Sequence, residues 1–574
     1  MDDRPNRLFR QKAFHQLILG GSDVIRRLHA MEDSAQKVND TLLSNILKKN
    51  ALTVYGTEHG FDRIKSPEQY ASELPLTEYD DYKSYVLRMS EQGEHNVLTS
   101  SRVDYYFSTA GTTGLPKLIP ANREQFRLVT AYTNLYRYGL ISESLGDIWT
   151  DGATFSPLEV RMAKTGSGAL RGVFSSKLIL DLGDMFHIAT LSPKEAIYSN
   201  PGEDTQFLHM LSALKAENVT EMNASYISWL LEMMHRLEKE WEEFVRAIHD
   251  GTLPSNLHLS PERFQSLSAA LRPDPERTAF LEKEFRKGFD DPILPRIWEK
   301  LSVVTAACGG TFRQHLKQFR RYMGENISFY CHGYTASEGV FAVPCALNSL
   351  ELLLLPDSCY YEFQLFDEAN GAAAGLEHGE PPVLRMDQLE AGKAYLVIIT
   401  NQSGFYRYRM HDVVRVKGFR GQLPVIEMMY REDLMTIAGE HFSEHRLSEA
   451  AFQTMAEQGF TLSGFSVFFG AENKSLGRLI FLFEPVENGP YPDPEMLGKR
   501  LMELLMEGNE EVQKSFEKGY ILHPLVKYLE KGTYEQYRVF IGDKGLGGNQ
   551  VKPPEILRNS EQIHFFLDHV QSEN

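Results

Sequence analysis

Two short apolar runs, separated by one helix, constrain this chain more than any other stretch. Leu301-Ser302-Val303-Val304-Thr305-Ala306-Ala307 reads as a strand that ends in Cys308-Gly309-Gly310-Thr311. Beyond a helical segment through Leu316 and Phe319, Ile327-Ser328-Phe329-Tyr330-Cys331-His332 reads as a second strand. It ends in Gly333-Tyr334-Thr335-Ala336-Ser337-Glu338-Gly339. Strand, helix and strand in that order make a βαβ unit, whose strands lie parallel and whose ligands collect beyond their carboxyl ends. The class expected is α/β, with β-sheets flanked by helices.

Another stretch suited to a ligand comes earlier. Tyr105-Tyr106-Phe107 reads as the end of a strand, and Ser108-Thr109-Ala110-Gly111-Thr112-Thr113-Gly114-Leu115-Pro116-Lys117 follows it. Small residues let the backbone approach an anion, and successive N–H groups form a cup for it. Ser108, Thr109, Thr112 and Thr113 add hydroxyl donors, and Lys117 adds a positive charge at the far end. That chemistry suits a nucleoside triphosphate. The spacing is not that of a Walker A loop, because Lys117 stands between Pro116 and Leu118 instead of in Gly-Lys-[Ser/Thr]. An ordinary glycine- and threonine-rich turn is the plain alternative.

Ala394-Tyr395-Leu396-Val397-Ile398-Ile399-Thr400 reads as a further strand. It leads into Asn401-Gln402-Ser403-Gly404-Phe405-Tyr406-Arg407-Tyr408-Arg409-Met410-His411-Asp412-Val413-Val414-Arg415-Val416, which alternates as a strand does, with Asp412 embedded among basic residues. A carboxylate near a nucleotide commonly accepts ribose hydroxyls. Taken alone, the stretch reads as a salt-bridged edge strand. Glu338 suits magnesium, which takes hard oxygen ligands shared with substrate phosphates. Taken alone, it reads as a surface residue.

Charge and cysteine usage narrow the classes. A formal net charge of −18 argues against a general binder of nucleic acid or anionic membrane, so any phosphate site must be local. Cys308, Cys331, Cys345 and Cys359 show no C-x-x-C spacing, which argues against a disulfide framework or zinc site and suits a reducing cytoplasm. Met1-Asp2-Asp3-Arg4-Pro5-Asn6-Arg7 lacks the apolar core of a signal peptide, and no run approaches the roughly 20 apolar residues of a membrane span. A cytoplasmic protein is expected, and 574 residues imply more than one domain.

The remaining pattern is organisational. Residues 38–47 carry a helical apolar spacing with Asn39 or Asp40 as caps. Residues 124–140 read as a helix whose Tyr132, Tyr136 and Tyr138 are more simply core than pocket, and residues 165–170 read as a turn. Residues 223–248 read as a long amphipathic helix stopped by Gly251, with only the first turn, around Tyr226, placed to face a ligand. Composition changes around residues 435–444. Beyond them, residues 464–470 and 477–485 read as paired strands, followed by a helix through Leu501, Leu504 and Leu505. The expected division is a large domain of residues 1–434 and a smaller, mobile α+β domain of residues 435–574.

These motifs, in order and spacing, resemble those of the auxin-responsive Gretchen Hagen family of acyl acid amido synthetases, a branch of the adenylate-forming superfamily. Ser108 to Lys117 resembles its phosphate-binding motif, and Tyr334-Thr335-Ala336-Ser337-Glu338 its second nucleotide motif. The stretch from Gly404 to Phe419 is similar to its third and most specific motif. Leu237-Glu238-Lys239-Glu240-Trp241, Leu294-Pro295-Arg296-Ile297-Trp298 and Gly548-Asn549-Gln550-Val551-Lys552-Pro553-Pro554 match as well, so the resemblance runs from Leu42 to Leu557.

The resemblance implies a two-step reaction. A carboxylic acid attacks the α-phosphate of ATP, giving an acyl adenylate and pyrophosphate, and an amine, usually of an amino acid, then displaces AMP. It also implies roles. Lys117, Ser108, Thr109, Gly111, Thr112 and Thr113 would hold phosphates, and Glu338 would hold Mg2+. Gly309, Gly310 and Thr311 would flank the adenine, Tyr334 would stack on it with Thr335 and Arg407 beside the nucleotide, and Asp412 would take the ribose hydroxyls. Lys552 matches the family's swinging lysine, with Lys544 as its rival and residues 435–444 as the hinge.

Tyr226, Ala336 and Phe341, with the 165–170 loop, would shape the acid pocket. His411 departs from the family pattern, which has glycine there, and Gly339-Val340-Phe341 stands where a bulky aromatic is usual, so no particular acid carries over. The expected partners are a small-molecule acid and amine, with no nucleic acid or membrane, and the expected state is a monomer. Transfer to a thiol of coenzyme A or a carrier protein, and a non-catalytic nucleotide-binding protein, are the other readings.

Overall fold

The computed structural model describes residues 4–108, 117–146, 150, 152–200, 202–367, 372–374, 381–431, 434–437, 440–473, 476–507, 510–542 and 554–571. Thr109, Gly111, Thr112, Thr113, Lys544 and Lys552 fall outside these residues. The chain opens with helices, from Arg4–His29 to Tyr79–Ser90. Asn39 and Asp40 do not cap a helix, because both lie inside Ala35–Asn50. Asn39 is buried there and donates to the carbonyls of Pro356 and Cys359 at 2.9 and 2.6 Å.

Three sheets build the larger part. The first contains β1 (Val103–Ser108), β2 (Leu118–Asn122), β4 (Met162–Lys164) and β5 (Leu170–Gly172), in the order β2-β1-β5-β4 with β1 and β5 parallel. The second contains β3 (Ala153–Phe155), β6 (Val219–Tyr226), β7 (Val303–Ala307) and β8 (Ser328–Cys331), in the order β3-β6-β7-β8 with every pair parallel. The helix Arg313–Met323 joins β7 to β8, so the βαβ unit read in the sequence is present. The register sets Tyr226 beside Ala307 and Ala306 beside Cys331, which brings three strand ends together. Residues 223–226 belong to β6, and the helix begins only at Ile227; pairing with β7 overrides the helical spacing there. Gly251 stops that helix at φ 64°, where a side chain would collide with Pro273.

The third sheet has nine strands: β9 (Tyr334–Ala336), β10 (Gly339–Pro344), β11 (Leu352–Leu354), β12 (Tyr360–Asp367), β13 (Ala372–Ala373), β14 (Val383–Leu384), β15 (Ala394–Thr400), β16 (Tyr408–Arg420) and β17 (Leu423–Arg431). Their order is β13-β12-β15-β16-β17-β11-β10-β9, with β14 on β12. All seven residues of β15 are buried, as its unbroken apolar run requires of an interior strand. β16 lies between β15 and β17, so the edge-strand reading of this motif is wrong.

After β17 comes a two-stranded hairpin, β18 (Leu434–Ile437) and β19 (Glu440–Ser443), at the residues expected to form the hinge. A further sheet of β20 (Leu462–Asn473), β21 (Leu476–Pro485) and β22 (Leu525–Tyr528) packs with helices around a separate core that includes Leu447, Phe465, Phe481 and Leu501. Its helix Thr533–Gly542 meets the larger part through Arg538, which ion-pairs with Glu232 and lies 5.4 Å from the ring centre of Trp229. Among the described residues, no helix is long and apolar enough to cross a membrane.

One core residue makes the fold acid-sensitive. His209, on the helix Thr205–Lys215, is 0% exposed, and neither ring nitrogen has a hydrogen-bond partner. Burial pushes its imidazole down from 6.5 to about 3. The unfolded chain therefore binds a proton that the folded chain refuses, and stability falls as pH drops through 6.5 towards 3. Thermal unfolding measured across this range is expected to show His209 adding up to about 1.4 kcal/mol per pH unit. His209→Leu should flatten the slope.

Candidate active site

Lys117 directly precedes β2, and its Nζ lies 5.2 Å from the ring centre of Tyr79. The Tyr79 hydroxyl is tied to the first residue of that strand. It accepts from the Leu118 N–H at 2.8 Å and donates to the Leu118 carbonyl at 3.2 Å. Burial keeps the phenol above its ordinary range, and the negative charge of Glu338 adds to the effect. The Lys117 amine thus lies over a tyrosine whose phenol also feels the negative charge of Glu338. The sequence carries no signal of a role for Tyr79.

Glu338 sits in the turn between β9 and β10 and is 5% exposed, so the surface reading of this residue is wrong. Its carbonyl accepts from Asn401 Nδ2 at 2.9 Å, and the Ser337 carbonyl accepts from Gln125 Nε2 at 3.1 Å. The Oδ1 of Asn401 also accepts from the N–H groups of Ser403, Gly404 and Phe405. Ser403 in turn donates to Gln125 Oε1. The second and third motifs and the helix Arg123–Val129 are therefore locked into one buried network.

Asp412, on β16, is 7% exposed and accepts from the Tyr334 hydroxyl at 2.6 Å. Tyr334 is 5% exposed, with Phe341 at 4.7 Å between ring centres. The structure thus assigns Tyr334 to holding Asp412; its buried ring has little face left for stacking. Gly309 and Gly310 follow β7, and Thr311 lies in the turn Gly310–Phe312. At Gly310, φ is 58° and a Cβ would stand 3.4 Å from the Met429 carbonyl. This turn is therefore close against β17, the strand that pairs with Asp412 through Arg431. Thr335 is exposed beside Tyr334.

His411 has φ 58°, which explains why glycine suits this position in the related pattern. Its Nε2 lies 2.7 Å from Glu78 Oε2. A β-branched residue tolerates this conformation worst. His411→Val is expected to cost about 1–2 kcal/mol in thermal denaturation, with His411→Gly nearly neutral.

Arg407 is a correction. It is 4% exposed and paired through Nε with both carboxylate oxygens of Glu362, at 3.2 and 3.0 Å. Its Nη1 donates to the carbonyls of Ala71 and Leu74. A guanidinium satisfied in this way joins β16 to β12 and the N-terminal helices and is not placed to hold a nucleotide.

The acid-pocket expectation also changes. Phe341 is 0% exposed and belongs to the core. Tyr226 and Ala336 are half-buried, and Tyr226 stacks on Phe312 at 4.9 Å. Residues 165–170 lead into β5 at Leu170, and β5 runs parallel to β1, so they lie at the end of that sheet away from Ser108. There, Ser167 N–H bonds to the Ser90 carbonyl and Gly166 N–H to the Glu91 carboxylate. A cavity of about 180 Å³ lies elsewhere, against the carboxyl ends of β3 and β6, with Thr154, Ser156 and Asn223 in its lining. Tyr138 faces it, whereas Tyr132 and Tyr136 are core.

Among the described residues, no cluster of three or more His, Cys, Asp or Glu side chains could hold a metal ion unaided. A single buried carboxylate, Glu338, still fits magnesium, whose other ligands are commonly substrate phosphates and water.

Comparison with known proteins gives the family. The GH3 family N-terminal domain matches residues 24–327, and the GH3 family central domain matches residues 352–431. The indole-3-acetic acid-amido synthetase GH3.8 of Oryza sativa subsp. indica is 25% identical over 561 residues, spanning 94% of this chain and 91% of that protein. The indole-3-acetic acid-amido synthetase GH3.6 of Arabidopsis thaliana is 24% identical over 575 residues, spanning 95% and 93%. Among solved structures, the GH3.15 acyl acid amido synthetase superimposes with a TM-score of 0.81 at 21% identity, covering 95% of this chain and 96% of that one.

Proposed function

Because the chain belongs to the GH3 family, we propose that it is an ATP-dependent acyl acid amido synthetase that adenylates a carboxylic acid and passes the acyl group to an amine. In the first step, a carboxylate oxygen bonds to the α-phosphorus as the bond to the β-phosphate breaks and pyrophosphate leaves. In the second, the amine nitrogen bonds to the acyl carbon, AMP departs with the oxygen, and the nitrogen releases a proton. The observation that supports this reading is Asp412 held by the Tyr334 hydroxyl at 2.6 Å, with the Lys117 amine over Tyr79 and Glu338 buried in the Asn401 network.

Carboxylate and triphosphate repel each other, so the first step depends on positioning and charge compensation. Lys117 supplies positive charge beside the phosphates. Glu338 would hold Mg2+, which would offset charge on the phosphate oxygens. Asp412 accepts the ribose hydroxyls, oriented by the Tyr334 O–H. Gly309, Gly310 and Thr311 border the adenine, and Ser108 opens the loop that carries Thr109, Gly111, Thr112 and Thr113.

The chain divides into residues 1–434 and 435–574, and the smaller domain brings Lys552 or Lys544 to the site by moving between half-reactions. The named relatives act on indole-3-acetic acid, and a solved GH3.15 structure holds 2,4-DB. For this chain the reading extends to a small-molecule acid and an amine, most simply that of an amino acid.

The test is acid-dependent pyrophosphate exchange with Mg-ATP, followed by product mass after amines or thiols are offered. Exchange and an amide are expected; a thioester product, or no exchange with any acid, overturns the reading. Chelation with EDTA is expected to stop exchange, and added Mg2+ to restore it.

A further inference from the structure

The amine step has a proton to dispose of, and the nucleotide motifs leave few groups to take it. The amine of an amino acid is largely an ammonium ion at neutral pH, and a nitrogen that has bonded to an acyl carbon stays positive until it loses a proton. Asp412 is occupied by Tyr334, and His411 by Glu78. Glu338 is given above to Mg2+, and Lys117, when charged, has no lone pair. Burial pushes the Tyr330 phenol well above its ordinary range, so it keeps its own proton. His332 differs from all of these.

His332 directly follows β8, at the carboxyl ends of the parallel sheet, where ligands of such sheets collect. Its backbone is fixed on both sides. The His332 N–H donates to the Ala306 carbonyl of β7 at 3.1 Å. Gly333 then turns the chain at φ 80°, where a Cβ would come 2.3 Å from the Ala342 carbonyl oxygen. Alternation along β8 sets which side of the sheet the ring occupies. Tyr330 packs in one core with Tyr136, and Cys331 in the other with Phe319. The ring centres of His332 and Tyr330 are 6.4 Å apart, so His332 stands on the side that carries Arg137.

The imidazole has a defined tautomer. The register of β6 on β7 shifts between Asn223 and Tyr226, and inside this irregularity the Ala224 carbonyl lies 3.0 Å from His332 Nε2. Bulges of this kind re-aim groups beside active sites. A carbonyl only accepts, so Nε2 carries the hydrogen and Nδ1 keeps its lone pair. Among the described residues, Ala224 is the one hydrogen-bond partner of the ring, and the residue is half-buried.

Burial, and after it the charge of Arg137, push the imidazole down to about 4. Without substrate it is therefore neutral at neutral pH. An acyl adenylate brings a phosphate anion to these strand ends, and a nearby anion favours the imidazolium. The ring becomes a stronger base once the adenylate has formed.

We propose that His332 Nδ1 is the general base of the amine step. This rests on the adenylation reading above. As the amine nitrogen bonds to the acyl carbon, the bond from that carbon to the AMP oxygen breaks and its electron pair leaves on AMP. The nitrogen's proton passes to Nδ1, and the imidazolium returns it to water. The Ala224 carbonyl holds the other N–H throughout and keeps Nδ1 aimed at the strand ends. Adenylation starts from a carboxylate and releases no proton, so the base belongs to the second half-reaction alone.

The test compares the half-reactions in the parent, His332→Gln and His332→Ala. Pyrophosphate exchange reports the first, and product mass after a single turnover of preformed adenylate with an amino acid reports the second. In both variants, transfer relative to exchange is expected to fall by about 100-fold or more, the scale of general base catalysis. Added imidazole is expected to restore transfer in His332→Ala and not in His332→Gln, whose side chain fills the space. Transfer at the parent rate in both variants overturns the proposal. So does a loss of exchange and transfer by the same factor, which marks a structural role, and so does a loss in His332→Ala that imidazole leaves untouched.

The parent separates this inference from the adenylation reading. No exchange in the parent with any acid overturns both together, whereas exchange in all three proteins with unaltered transfer overturns the base alone.

Discussion

Lys117→Ala is expected to reduce acid-dependent pyrophosphate exchange by about two to three orders of magnitude, the scale seen when a preorganised charge-stabilising group is removed. The reason lies in what fixes this amine. Lys117 is followed at once by a five-residue strand that is buried throughout, and Tyr79 holds both polar groups of Leu118. The lysine stem therefore starts from a rigid point. A cation over an aromatic face gains about 0.5–1 kcal/mol at exposed sites and about 2 when desolvated, so the amine can leave half-buried Tyr79 for phosphate oxygens at modest cost. Among the described residues, Lys117 has no ion pair, and its removal should leave the thermal midpoint close to that of the parent. Exchange assays run beside thermal denaturation check both statements; full exchange in Lys117→Ala would overturn the assignment.

Arg407→Ala is expected to have the opposite profile. Removing one partner of a buried ion pair strands the other, at a cost of about 3–5 kcal/mol. Here Glu362 is 2% exposed, and burial already pushes its carboxyl up against the pull of Arg407. The carbonyls of Ala71 and Leu74 would lose their donor as well. A large fall in the denaturation midpoint is expected, with the KM for ATP unchanged in whatever fraction remains folded. Replacing both partners, as in Arg407→Met with Glu362→Leu, should recover much of the loss, because two apolar groups leave no stranded charge. If Arg407→Ala instead raised the KM for ATP in a fully stable protein, the residue would return to the nucleotide site.

These two residues show what could and could not be read from the sequence. The strand ends were legible because apolar runs punctuated by glycine are local signals, and β7, β8 and β15 lie within a residue or two of where the runs put them. The βαβ order accounts for Gly310 after β7 and for the motif that follows β8, whereas Asp412, within β16 of another sheet, was read through the family resemblance. Arg407 was misread because its partners, Glu362, Ala71 and Leu74, are distant in sequence, and no periodicity reports them. Tyr79 was missed for the same reason.

Phe341 failed differently. Its place beside a nucleotide motif suggested a pocket, but β10 is buried at all six positions and closes over it.

The network around Asn401 has a mechanical consequence. One amide, 3% exposed, accepts three backbone N–H groups of its own loop and donates to the carbonyl of Glu338. Four bonds to a single planar group cannot be broken one at a time without stranding the rest. The 403–405 loop and the Glu338 turn should therefore open to solvent together or not at all, with one shared rate of amide hydrogen exchange across residues 403–405. A catalytic cycle that needs motion must find it outside this block. The site behaves as an anvil, and whatever swings does so against it.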